Sequence, residues 1–159
     1  MSVSDQNRVY VSPEIIFDIK KLEKEFSRAD VEIHDVDHSG VSYEGRVFLN
    51  NPDANQRTSK DENSNYAGSY HIFGHGGCFG DIGHCDYKPE RRAYDTRLNS
   101  DIRPQYKRII VTNLLKKLGK TTNKFTITIV PVLYARSEKE SIPKKDIIKF
   151  DKIGFITYD

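Results

Sequence analysis

The chain has 159 residues, 36% of them hydrophobic and 30% charged, and a formal net charge of +2. That length is enough for one domain with its own core, and a charge balance this even excludes nucleic-acid binding by bulk electrostatics. The first residues, Met-Ser-Val-Ser-Asp-Gln-Asn-Arg, carry no apolar signal region, and no apolar run is long enough to span a membrane. The expected compartment is therefore cytoplasmic, with neither nucleic acid nor membrane as partner.

Ser12 and Pro13 read as the cap and first turn of a helix over residues 13–28. Ile15, Ile16, Ile19, Leu22 and Phe26 would line its apolar face. Strand signals follow. Residues 31–36 alternate with period two, Asp37-His38-Ser39-Gly40 reads as a turn, and residues 41–49 read as a second strand with a bulge at Gly45. Residues 50–66 are a polar loop with nothing to bury. Residues 67–73 make a third strand.

A polar connection over 86–106 precedes a short strand at 107–111. Thr112 reads as an N-cap, residues 113–118 as a short helix and Gly119 as its stop. Phe125, Ile127 and Ile129 alternate with threonines, the cleanest strand pattern in the chain. Residues 146–158 read as one or two closing strands. Arg103, Lys107, Arg108, Lys116, Lys117, Lys120 and Lys124 form a local basic excess, read either as a solvated strand and helix face or as a docking surface for an acidic partner.

Nine Tyr and eight Phe without Trp suit a sheet-rich core. Many short strands, long loops and no βαβ rhythm predict a mainly β protein, an antiparallel, jelly-roll-like β-sandwich. Residues 1–29 are expected to form an N-terminal segment with the amphipathic helix, and residues 30–159 a single β-sandwich domain.

The chemistry concentrates in residues 69–86, which hold three of the five histidines, both cysteines and five of the ten glycines. His71, His75, Cys78, His84 and Cys85 combine imidazole and thiol donors suited to zinc or copper. The spacing matches no standard zinc motif, and His84 and Cys85 are adjacent. Asp81 and Asp86 could orient imidazoles. Three other readings stand beside the metal site: a Cys78–Cys85 disulfide, histidines that bond loop backbone, and a thiolate–histidine nucleophile. His34 and His38, with Asp35 and Asp37, form a second small constellation, for which turn capping is the simpler account.

Two blocks carry a resemblance. Residues 36–52 (Val-Asp-His-Ser-Gly-Val-Ser-Tyr-Glu-Gly-Arg-Val-Phe-Leu-Asn-Asn-Pro) and 65–86 resemble the domain that follows the copper-binding domain in bacterial tyrosinase-like proteins. More loosely, residues 66–69, 111–131 and 150–155 resemble the C-terminal domain of plant polyphenol oxidases. The resemblance implies a β-sandwich and a role as the accessory domain of a type 3 copper protein, lying over the copper site. Phe73, Phe79 and Tyr87 flank the glycine-rich loop and are the candidate docking or shielding side chains. Such a dinuclear copper site needs six histidines; five are present. The expected function is thus a non-catalytic accessory or shielding domain whose partner is a tyrosinase-like copper-binding domain or protein. The alternative is a small Cys/His metal-binding protein, a zinc or copper carrier using the 71–86 loop.

Overall fold

The alternation of residues 28–36 becomes the central strand of a sheet. Ala29, Val31 and Ile33 are fully buried on one face, while Arg28, Asp30, Glu32 and His34 take the other. The computed structural model describes residues 8–18, 26–74, 94, 103–133 and 147–159. Its strands are β1 (Tyr10–Val11), β2 (Ile15–Ile16), β3 (Arg28–Val36), β4 (Tyr43–Leu49), β5 (Tyr66–Ile72), β6 (Gln105–Ile110), β7 (Lys124–Phe125), β8 (Ile127–Leu133) and β9 (Lys152–Tyr158). One α-helix, α1 (Thr112–Gly119), lies among the described residues.

Every described pairing is antiparallel, as the absence of a βαβ rhythm predicts. The sheets have the orders β1-β8-β4-β5, β6-β3-β9 and β2-β7. The protein is mainly β, with antiparallel sheets and one helix. Val47, Leu49, Tyr70, Ile72, Ile127 and Ile129 from the four-stranded sheet share one core cluster with Val31, Ile33 and Ile109 from the three-stranded sheet and Leu115 from α1. Phe17, Phe125 and Phe155 meet edge to face within it, with centroids 5.1–6.0 Å apart.

The two larger sheets approach most closely where β5 runs beside β6. Gly68 has φ +141° there, and a Cβ on it would stand 2.8 Å from Ile109 Cγ2. Glycine meets both demands, backbone and space.

Four expectations need correction. Ile15 and Ile16 are paired in β2 with Phe125 and Lys124, so the helix read over 13–28 does not begin there. Residues 19–25 lie outside the described residues. Ser12 caps no helix: its Oγ accepts from Ile127 N at 2.8 Å, and its own N–H donates to Ile127 O at 2.9 Å. Adjacent β-branched isoleucines favour this extended pairing.

Gly45 is not a bulge. It pairs regularly with Tyr70 and Pro131, and the β4 irregularity falls at Val47–Phe48. The glycine makes room for the Tyr70 ring, which a Cβ would overlap.

The 50–66 loop does bury a residue. Ala54 packs with Phe48 and Val130 on the outer side of the four-stranded sheet. Gln56 ties the loop down, accepting from Arg46 Nη1 and donating to Pro131 O, and Asp61 caps a 3₁₀ turn at Glu62–Ser64.

Thr112 lies within α1 rather than at its cap, and its hydroxyl accepts from Ala29 N at 3.0 Å. That bond ties the helix to β3.

Candidate functional site

The turn between β3 and β4 is built from its own side chains. Asp37 Oδ1 accepts from Ser39 N at 2.8 Å, the capping role expected for this residue. Hydrogen bonds from Ser39 hold the Asp37 carboxyl below its ordinary pKa. Asp37 N donates to Lys149 O at 2.9 Å, securing the turn to the chain just before β9.

His38, nearly buried in this turn, faces the carbonyl oxygen of Arg103 across 2.7 Å from Nε2. A carbonyl oxygen only accepts, so His38 carries a proton on Nε2. Four residues on, Ser42 Oγ accepts from Gly74 N at 3.0 Å. Gly74 sits so tightly on the turn that a Cβ would overlap the Gly40 carbonyl oxygen and Val41. Gly74 and Arg103 are the described residues on either side of 75–102. One turn thus receives both ends of the stretch that carries most of the sequence's candidate ligands.

Of those ligands, His71 lies exposed on β5, in register with Glu44. His75, Cys78, His84 and Cys85 lie outside the described residues, as do Asp81 and Asp86. Among the described residues, no group of three or more His, Cys, Asp or Glu could hold a metal ion. Of the candidate docking side chains, Phe73 is 79% exposed at the exit of β5. Phe79 and Tyr87 lie outside the described residues.

The second constellation divides. While His38 serves the turn, His34 sits on the outer face of β3, its Nε2 3.2 Å from Glu32 Oε2. A charged cluster that the sequence reading did not single out occupies this face. Arg28 Nε approaches both Asp30 oxygens at 2.8 and 3.0 Å. Arg108, opposite Glu32 on β6, reaches Asp30 at 3.4 Å and Glu32 at 3.4 Å. The hydrogen bond from Tyr106 pulls the Glu32 pKa down, and His34 and Arg108 act in the same direction. Tyr106 also accepts from Arg108 Nε and meets the His34 ring edge to face.

Asp30 is completely buried beneath these groups, whereas the Arg28 and Arg108 side chains are 40% and 42% exposed. Ile110, Ile156 and Tyr158 stand exposed around them. The acids form a floor and the arginines and aromatic rings form the surface. The Arg28-x-Asp30-x-Glu32-x-His34 alternation was the available signal, since period two puts all four on one side of a strand.

Four of the seven residues of the basic excess over 101–124 meet partners elsewhere in this chain. Besides Arg108, Lys117 pairs with Glu62, Lys124 pairs with Glu14, and Lys116 lies over the Phe26 ring. A further buried carboxylate, Glu44 on β4, meets Arg46 at 3.1 Å and Lys60 at 2.6 Å.

No known family and no curated protein sequence matches this chain. Solved structures similar to it in fold include two of aurone synthase. One is a recombinantly expressed latent aurone synthase (polyphenol oxidase), with TM-score 0.50 and 12% identity over 96% of this chain and 24% of that one. The other is latent aurone synthase from its natural source, with TM-score 0.50 and 18% identity over 97% and 25%. At these identities the likeness concerns the fold alone. The chain spans about a quarter of the length of either protein, so the likeness is to one part of a polyphenol oxidase chain.

Proposed function

We propose that this chain is a non-catalytic accessory domain of a tyrosinase-like copper protein, docking over the mouth of a copper-binding domain and shielding it. The supporting observation is the asymmetry of the likeness: nearly all of this chain corresponds to only a quarter of each polyphenol oxidase. Five histidines are too few for a six-histidine dinuclear site, so on this reading the copper chemistry belongs to a partner or to another domain. Phe73, a large ring presented to solvent beside the anchored turn, is suited to enter such a mouth.

The test mixes the purified chain with a copper-loaded tyrosinase-like catalytic domain freed of its own covering domain. Complex formation with slowed catechol oxidation, weakened by Phe73→Ala, is the expected result. Catechol oxidation by the chain alone overturns the proposal. Metal content on the reduced chain discriminates the carrier reading. About one zinc or copper per chain, lost in His75→Ala/Cys85→Ser, would favour the carrier, with His71, His75, Cys78, His84 and Cys85 as its donor pool.

A further inference from the structure

The outer face of the β6-β3-β9 sheet opens to solvent around a buried acid. Register sets its residues in rows across the sheet. Asp30 lies between Ile110 and Ile156, and Glu32 between Arg108 and Gly154. Ile110 is 60% exposed and Ile156 41%. A Cβ on Gly154 would meet nothing within 4 Å, so bare backbone faces open space beside Ile156. Glycine inside a strand marks a place that another chain can approach closely.

Two arginines border this patch, each fixed from below. Arg28 Nε is held by both Asp30 oxygens, and its guanidinium lies 5.7 Å from the Tyr158 ring centroid. Arg108 is held by Asp30, Glu32 and the Tyr106 hydroxyl, and its guanidinium lies 5.4 Å from the Tyr106 centroid. Among the described residues, no hydrogen bond engages the terminal nitrogens of Arg28. A guanidinium fork held this way is pre-organised to take a carboxylate. The exposed formal charges of the face are Arg28, Arg108 and Lys152, whereas Asp30 and Glu32 are buried. Arginine and tyrosine are enriched at protein interfaces, and the two isoleucines add apolar area that a bare anion would not use.

We propose that this face docks an acidic protein segment: Arg28 and Arg108 take two of its carboxylates, and one of its aliphatic side chains rests on Gly154 beside Ile156. Charge complementarity selects the occupant, since the charged groups that reach solvent are cationic and the acids beneath them are already paired. The face belongs to the three-stranded sheet, whereas Phe73 follows β5 of the four-stranded one. The inference therefore does not rest on the accessory-domain reading, and the two fail separately.

The experiment titrates the full chain with the peptide acetyl-Glu-Ser-Glu-Ser-Leu-Ser-Glu-amide and follows backbone amide NMR shifts. Extended, this peptide sets its carboxylates and leucine on one face. The expected result is saturable shifts over residues 28–34, 106–110 and 152–158, weakened by added salt. Arg28→Gln should weaken binding about five-fold, the scale of one exposed ion pair. Gly154→Gln has open space for its side chain and should weaken binding about ten-fold by filling the leucine's seat. Peptides with Gln for Glu, or Ser for Leu, should also bind more weakly. Circular dichroism confirms the fold of each variant. Should Arg28→Gln fail to fold, Gly154→Gln and the altered peptides carry the comparison. No shifts at millimolar peptide, or shifts elsewhere on the chain, overturn the proposal. So does undiminished binding by Gly154→Gln, or inorganic sulfate reproducing the peptide's shifts, which marks a simple anion site.

Discussion

His38 Nε2–H donates to the Arg103 carbonyl oxygen at 2.7 Å, linking positions 65 residues apart through a nearly buried side chain. Removing it leaves a carbonyl without this donor and a gap beneath the turn. His38→Leu is expected to lower stability by ~1–2 kcal/mol, and His38→Gln by clearly less. Urea melts at neutral pH measure both, and equal losses would show that packing rather than the hydrogen bond is at stake.

Asp30 invites a different experiment. Its carboxylate is fully buried, and Arg28 and Arg108 both reach it. Asp30→Ala is expected to cost ~1–3 kcal/mol, below the full penalty of a broken buried pair because the two guanidinium groups can turn to water. The Arg28→Ala/Arg108→Ala double variant should lose more than the sum of the single variants, since either arginine alone still neutralises the buried charge. Additive losses would refute shared neutralisation.

Acid should weaken the fold partly through Glu32. Tyr106, His34 and Arg108 hold its folded pKa below the ordinary value of 4.5. A depressed carboxylate contributes stability that is present above the unfolded pKa and lost as pH falls through the folded one. Glu32→Gln should therefore flatten the decline of stability below about pH 4.5 relative to wild type. Thermal melts between neutral pH and pH 3 read this, and parallel profiles for the two proteins would contradict it.

Gly45 and Tyr70 form a steric pair across β4 and β5. Gly45→Ala would drive a methyl group into the tyrosine ring and is expected to cost ~1–3 kcal/mol. Tyr70→Ala costs stability by emptying the same space, but the double variant should be less damaged than the two losses summed. The buried Tyr70 hydroxyl, 3.4 Å from that of Tyr43, is also held well above its ordinary pKa by burial. Alkaline titration followed by tyrosinate absorbance should leave it among the last tyrosines to ionise in the folded chain.

Strands were legible where apolar core residues alternate with polar ones, even where the polar face is itself covered. Val31 and Ile33 in β3, and Ile127 and Ile129 in β8, announce themselves by alternation, whereas the start of β3 at Arg28 does not. Helix α1 was legible from its short amphipathic run. At residues 13–18 the same kind of pattern misled, because an apolar pair such as Ile15–Ile16 suits either periodicity and only the distant partner β7 decides. The polar loop at 50–66 looked unanchored because its fasteners, Arg46 and Pro131, lie elsewhere in sequence. For the candidate site, the turn-capping role of Asp37 could be read locally. The partnership of that turn with Gly74 and Arg103 could not, since nothing in the intervening sequence encodes which residues return to it.

Strand order has a consequence for how the chain reaches this fold. β3 lies between β6 and β9, and β1 and β4 both pair with β8. On a ribosome, the early strands β1 to β3 emerge long before the strands that flank them. Among the described pairings, the β4–β5 ladder alone can zip from near neighbours. Such non-local pairing slows folding and leaves Val31, Ile33 and Val47 uncovered in the meantime. Removing β9 would leave the buried Asp30–Glu32 strand as a raw sheet edge, open to pairing with another molecule.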